Sequence, residues 1–240
     1  MPPLPETPTP ARAGLRGSVR DRALLPGLLL ALLGTSGCVT SRVEETKNAA
    51  TGIAEGESVV ILATSYHQGN KTESGFLDCV NDELDDGRDA LNVYPGEKFR
   101  DELFPWFEPR TMPQDIEALP ELLARPGVAE RILARGVRYL VWVKGSTERT
   151  SGGGGMSCAA STVGGGCFGL VWWENDGSYE ATVWDLKKGE HSGAVSADVH
   201  GTSMVPAVIL PLPLIARTQT AACNGLVREL RQFITQEGPS

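Results

Sequence analysis

The chain has 240 residues, 41% of them hydrophobic and 22% charged, with a formal net charge of −8, a composition that suits a globular protein of one domain or two small ones. The acidic balance repels phosphate backbones, and no run of Lys or Arg mixed with aromatics offers a local exception, so nucleic acid is not an expected partner. No run of about 18–20 apolar residues occurs, so a transmembrane helix is not expected and any membrane link must come from a lipid.

The N-terminus supplies a candidate for that lipid. Residues 23–34 (ALLPGLLLALLG) have the length of a signal-peptide apolar core, with Arg12, Arg16, Arg20 and Arg22 before them and the small residues Thr35, Ser36 and Gly37 after. Cys38 follows. The stretch beginning at Val19 would by itself make an ordinary signal peptide, so the true start is expected near Val19. Four arginines and two acids precede Cys38, out of 22 basic and 30 acidic residues. Without them the chain carries 18 basic and 28 acidic residues, net −10.

The residues Ser36-Gly37-Cys38 resemble the bacterial lipobox, with Thr35 standing where that family usually has Leu. The resemblance implies cleavage before Cys38 and lipid, including palmitate, on its thiol. Val39, rather than Asp, after the cysteine implies delivery to the outer membrane, facing the periplasm. The expected organisation is a signal peptide over 1–37, a lipidated cysteine with a flexible polar tether over 38–56, a single domain over 57–236 and a tail over 237–240.

Setting Cys38 aside leaves Cys79, Cys158, Cys167 and Cys223, an even number in a compartment that permits disulfides. Three pairings are possible. Cys158 and Cys167 flank one Gly-rich loop, and Cys79 and Cys223 fall on expected helices, so Cys158–Cys167 with Cys79–Cys223 is the natural choice. Zinc would want closer Cys pairs or adjacent histidines, and His67, His191 and His200 are not so placed, so no metal is expected.

Along the chain, Ser58 to Thr64 (SVVILAT) suits a strand buried on both faces. From Lys71 to Asp86 the four-residue spacing of Phe76, Val80 and Leu84 predicts an amphipathic helix ending before Gly87. A short extended piece at Leu91–Tyr94 precedes a helix over Glu97–Phe107 that Pro105 ends. Two helical pieces follow, Pro113–Ala124 and Val128–Arg135, broken by Pro126 and Gly127.

Four strands are then expected at Val137–Val143, Phe168–Trp173, Tyr179–Leu186 and Ala194–His200, with a turn at Asn175-Asp176-Gly177 and another at Lys187 to Glu190. Thr218–Gln236 carries an apolar helical stripe that includes Cys223. The fold class is therefore α/β of the α+β kind: a single mixed sheet in the order β-α-β-(short helices)-β-β-β-β-α.

This order behind a lipidated cysteine resembles the periplasmic domain shared by the curli secretion lipoprotein and the lipoprotein activators of penicillin-binding proteins. The similarity covers residues 57–236. It rests on VVILAT, on Gly136 to Val141 entering a central strand, and on VWDLKKGE at Val183–Glu190. It implies a tethered domain that binds a protein of the cell envelope, and it carries over no catalytic residues. The segment Phe104–Pro109 (FPWFEP) and the Gly loop with its paired cysteines depart from that pattern.

Several stretches invite a sharper reading. Gly152–Gly166 could cradle a phosphate but lacks the Lys and Ser/Thr ending, so a flexible hairpin loop is expected and no cofactor is named. Gly201-Thr202-Ser203-Met204 is not a nucleophile elbow, and His200 falls on the opposite side of a strand from its neighbour, so no catalytic residues are assigned. Val205–Ala216 (VPAVILPLPLIA) is expected as a loop packed over the core, the alternative being a partner-binding or membrane-facing patch. Trp172 and Trp173 are adjacent on a strand, so at least one should leave the core and form a partner surface. The expected function is a non-enzymatic binding or accessory module; an envelope hydrolase without a recognisable motif is the alternative.

Overall fold

The computed structural model describes residues 37–63, 72–108, 110–113, 116–162 and 164–236. The expected signal peptide up to Ser36, the start near Val19, His67 and the tail lie outside the described residues.

The fold is α+β, with one mixed six-stranded sheet. Strands β1 (Cys38–Lys47), β2 (Ser58–Ala63), β3 (Val93–Tyr94), β4 (Val137–Ser161), β5 (Gly164–Asp185) and β6 (Glu190–Pro211) stand in the order β1-β6-β5-β4-β2-β3. β2 runs parallel to β3 and β4, and the neighbours from β4 to β1 are antiparallel. The helices are α1 (Ser74–Asp85), α2 (Gly96–Glu102), α3 (Leu119–Leu123), α4 (Val128–Leu133) and α5 (Thr218–Thr235), with a 3-10 turn at Ile116–Ala118.

Strand alternation sorts the core into two layers. Val59, Ile61, Tyr139, Val141, Tyr179 and Val183 face α1 and α5, where they meet Phe76, Leu84, Leu226, Leu230 and Phe233. Val60, Leu62, Leu140 and Trp142 face the short helices, against Phe99, Phe107, Leu119 and Ile132. This double burial is why SVVILAT reads as a continuous apolar run rather than an alternating one. Cys79 on α1 is bonded to Cys223 on α5, with Cα atoms 6.4 Å apart, and the bond locks the two helices of one layer together.

Four expectations are corrected. Residues 38–47 are not a tether: β1 pairs with β6 over its whole length, from Cys38 opposite Thr202 to Lys47 opposite Gly193. Beyond β1 the chain stays attached, because the buried Thr51 hydroxyl donates to the Phe233 carbonyl and Gly52 exchanges hydrogen bonds with the Tyr139 hydroxyl at 3.0 and 2.9 Å. The strand is held by backbone hydrogen bonds and by Val43 against α5, so it carries almost none of the apolar signal that marks a core strand.

The meander has three long strands, not four short ones. Asn175-Asp176-Gly177 is no turn: these residues pair with Arg149, Glu148 and Thr147 on one side and Gly201, His200 and Val199 on the other. A two-residue hairpin turn needs positive φ at its centre, and none of the three has it. Gly177 is closely packed, since a Cβ there would lie 3.1 Å from Thr147 Oγ1 and 3.3 Å from the Tyr179 ring.

Gly152–Gly166 is likewise no flexible loop. Gly152–Ser161 and Gly164–Gly166 belong to the paired ends of β4 and β5, with Cys158 directly opposite Cys167 and bonded to it. Finally, Val205–Pro211 is the end of β6 rather than a loop over the core, and the residues after it fold back along its edge.

Candidate functional site

Past the body of the sheet, β4, β5 and β6 continue together as a three-stranded arm. β4 leaves β2 at Val143, opposite Ala63, and runs on to Ser161. Glu73 closes the exposed edge at the root of the arm: its carboxylate accepts the Thr147 N–H at 2.8 Å and the Tyr179 hydroxyl at 2.8 Å. Burial, with that carboxylate beside it, pushes the Tyr179 hydroxyl well above its usual range, so Tyr179 acts as a neutral donor.

The arm carries no Asp, Glu, Lys, Arg or His from Thr150 to Trp173, nor from Gly201 to Ala216. Charge resumes at one level. Arg149, Glu174 and His200 stand at the arm's root, and His200 Nδ1 pairs with Asp176 Oδ1. In the row just beyond, Ser151, Glu174, Thr202 and Cys38 lie side by side across the sheet. Cys38 is exposed and its thiol is free, whereas the other four cysteines are disulfide-bonded.

The two tryptophans mark the same level. Trp172 and Trp173 are both half-buried and, being adjacent on β5, point to opposite faces. Gly152 lies close against this pair, where a Cβ would be 3.1 Å from the Trp172 carbonyl oxygen and 3.2 Å from Trp173 Cβ, while a Cβ on Gly153 would meet the Trp172 indole in ordinary contact at 3.5 Å. The Arg149 guanidinium sits 5.3 Å from the centre of the Trp173 ring.

Beyond the tryptophans the arm is apolar and open to solvent. Phe168 is 75% exposed, Val208 74%, Ile209 69% and Leu210 69%, values that large apolar side chains of a free-standing surface rarely reach together. Phe168 lies opposite Val208 and Leu170 opposite Pro206, so one face collects a continuous apolar stripe. Ile209 has φ 90°, the only positive φ outside glycine among the described residues. For a β-branched side chain that conformation is strained.

After Pro211 the chain doubles back. Met204 and Leu214 exchange backbone hydrogen bonds at 2.8 Å, and the Leu212 N–H donates to the Pro206 carbonyl at 2.9 Å. Pro206 thus turns its polar side toward this return segment, and its missing N–H takes nothing from the ladder with β5. The Ala216 N–H donates to the buried Ser203 Oγ at 2.9 Å. Ser203 is therefore a tie for the return segment, and His200 points to the other face of β6.

A second polar cluster lies at the opposite end of the sheet. Arg138 donates to Glu57 at 2.9 Å and to the fully buried Asp185 at 3.2 Å. Asp185 Oδ1 accepts the Lys187 and Lys188 N–H groups at 3.0 Å, so VWDLKKGE is a capped β5–β6 turn. Burial pushes the Glu57 carboxyl up, but hydrogen bonds from the Ala54 N–H, Arg138 and Lys187 outweigh it and hold the group at about 2. An open cleft beside Arg138 is lined also by Thr51, Gly52 and Thr235, and the guanidinium there is already paired with both Glu57 and Asp185. No group of three or more His, Cys, Asp and Glu among the described residues could hold a metal ion. No helix among them is long and apolar enough to cross a membrane.

These features define an α+β domain of one mixed sheet with a charge-free arm. No family model matches the chain. No curated protein matches it. Similar solved structures include the PelC dodecamer from Paraburkholderia phytofirmans and a single-substitution variant of it. Each is 10% identical with a TM-score of 0.39, covering 82% of this chain and 100% of that chain.

Proposed function

We propose that this protein is a lipoprotein of the bacterial cell envelope, cut before Cys38, anchored through lipid on that thiol, and acting as a non-enzymatic binding module. The observation that carries the reading is the state of Cys38. It is exposed and free at the first residue of β1, at the root of the arm, while every other cysteine is consumed in a disulfide. The lipobox-like Ser36-Gly37-Cys38 supports cleavage there, and Val39 supports the outer membrane, facing the periplasm, as destination.

The resemblance to the curli-secretion and penicillin-binding-protein-activator lipoproteins belongs to this proposal, as does an envelope protein for partner. Trp172 and Trp173, on opposite faces at the root of the arm, are the proposed contact surface. With β1 paired to β6, the anchor is joined to the sheet almost without slack, so the body stands close to the membrane surface in a fixed orientation.

Growth on labelled palmitate tests the reading. Label should enter the chain and be lost in Cys38→Ser, and crosslinking in intact envelopes should then capture a reproducible protein partner through Trp172 or Trp173. A chain that takes no label, or whose Cys38→Ser form takes as much, contradicts it.

A further inference from the structure

Anchor, aromatics and charge all change over at one level of the sheet. Cys38, Trp172, Trp173 and the last charged residues before the arm, Arg149 and Glu174, fall within neighbouring rows. On one side of that level lies an acidic body, and on the other lie apolar residues with no charge among them. A protein partner needs complementary shape but no common plane. A bilayer surface is a plane, and it selects this sequence of polar groups, aromatic rings and then apolar side chains.

We propose that the arm docks into the interfacial zone of a lipid bilayer, seating Phe168, Leu170, Val208, Ile209, Leu210 and Leu212 below the headgroups beside the lipid on Cys38. This deepens the reading above and rests on Cys38 as the anchor. The arm dips at a shallow angle from that level into the interface and does not cross the bilayer. The outer edges of β4 beyond Ser151 and of β6 beyond Pro206 pair with no further strand among the described residues, and unpaired backbone groups are not tolerated in the hydrocarbon. Headgroups and interfacial water satisfy them. The ladder and the Cys158–Cys167 bond hold the arm in its docking shape before contact, so little order has to be gained on binding.

Because the arm is neutral, docking depends on apolar area and not on lipid charge. The test uses the full chain with Cys38→Ser, which cannot take lipid, carrying an environment-sensitive fluorophore on Leu210→Cys or, at the far end of the sheet, on Glu190→Cys. With vesicles of phosphatidylcholine alone, emission at 210 should rise about threefold or more and shift to the blue, as for a group entering the interface. Emission at 190 should stay unchanged. The rise at 210 should persist from about 0.1 M to about 1 M salt and be lost in Phe168→Asp with Val208→Asp, whose melting stays that of the parent.

All these chains share the same apolar leader, so the contrasts report the arm. No rise at 210 overturns the proposal. So does a rise without vesicles that grows with protein concentration, which would mean a second copy covers the arm, and so does leakage of an entrapped dye, which would mean closed strands spanning the bilayer. The readout does not depend on acylation, so its failure leaves labelled palmitate on Cys38 untouched, and loss of that label leaves the fluorescence result standing.

Discussion

The same three strands meet two different fates along their length. In the body, alternate residues of β4 and β5 are covered on both faces, Val141 and Val183 by α1 and α5, Leu140 and Trp142 by the short helices. In the arm the strands continue past one register shift, between Arg149 and Ser151, but no helix among the described residues lies over Phe168, Leu170 or Val208. A β-ladder can therefore be extended by backbone pairing alone, while its side-chain pattern is answered only where a second layer exists. The body is stabilised by its own core; the arm is stable as backbone and incomplete as surface.

Substitutions should separate the two regions sharply. The largest loss is expected from Phe233→Ala in the fully buried face of α5, about 3–5 kcal/mol by urea unfolding. Replacing both Cys79 and Cys223 by Ala opens a link across 144 residues and should cost about 3–4 kcal/mol. Replacing both Cys158 and Cys167, only 9 apart, should leave the urea midpoint nearly unchanged while amide exchange in the arm speeds up about tenfold.

Glu57→Gln should show a pH-dependent effect in the body, smaller than those of the Phe233 and Cys79–Cys223 replacements. The carboxyl is held at about 2 against an ordinary 4.5, so its contribution is fully present above pH 4.5 and is lost as the pH falls toward 2. The variant should be less stable than the parent by on the order of 2 kcal/mol at pH 7, with the gap closing below pH 4. Smallest of all, Val208→Asp with Leu210→Asp should shift stability by less than about 0.5 kcal/mol, because both side chains already face water. A large loss there would mean the arm is part of the core and would erase the distinction.

What the sequence made legible follows the same division. Ser58–Ala63 is readable as a continuous apolar run buried on both faces, α1 and α5 by their periodic apolar faces, and the two disulfides join the residues that the loop and helix positions suggest. The arm was not readable, because the usual signals were used for something else. Its glycines pair within the strands instead of breaking them, and Asn175-Asp176-Gly177 pairs on both sides instead of turning. β1 was missed because an edge strand held by backbone hydrogen bonds needs few apolar residues. Trp172 and Trp173 stand out locally as an adjacent aromatic pair, but their place at the root of an arm depends on a register that no local pattern encodes.

The intact mass of the N-terminal peptide of the mature protein tests the central claim most directly. The account predicts a peptide that begins at Cys38 and carries a diacylglycerol and an added acyl chain. A mature protein that retains residues before Cys38, or that begins there with an unmodified thiol, would contradict it.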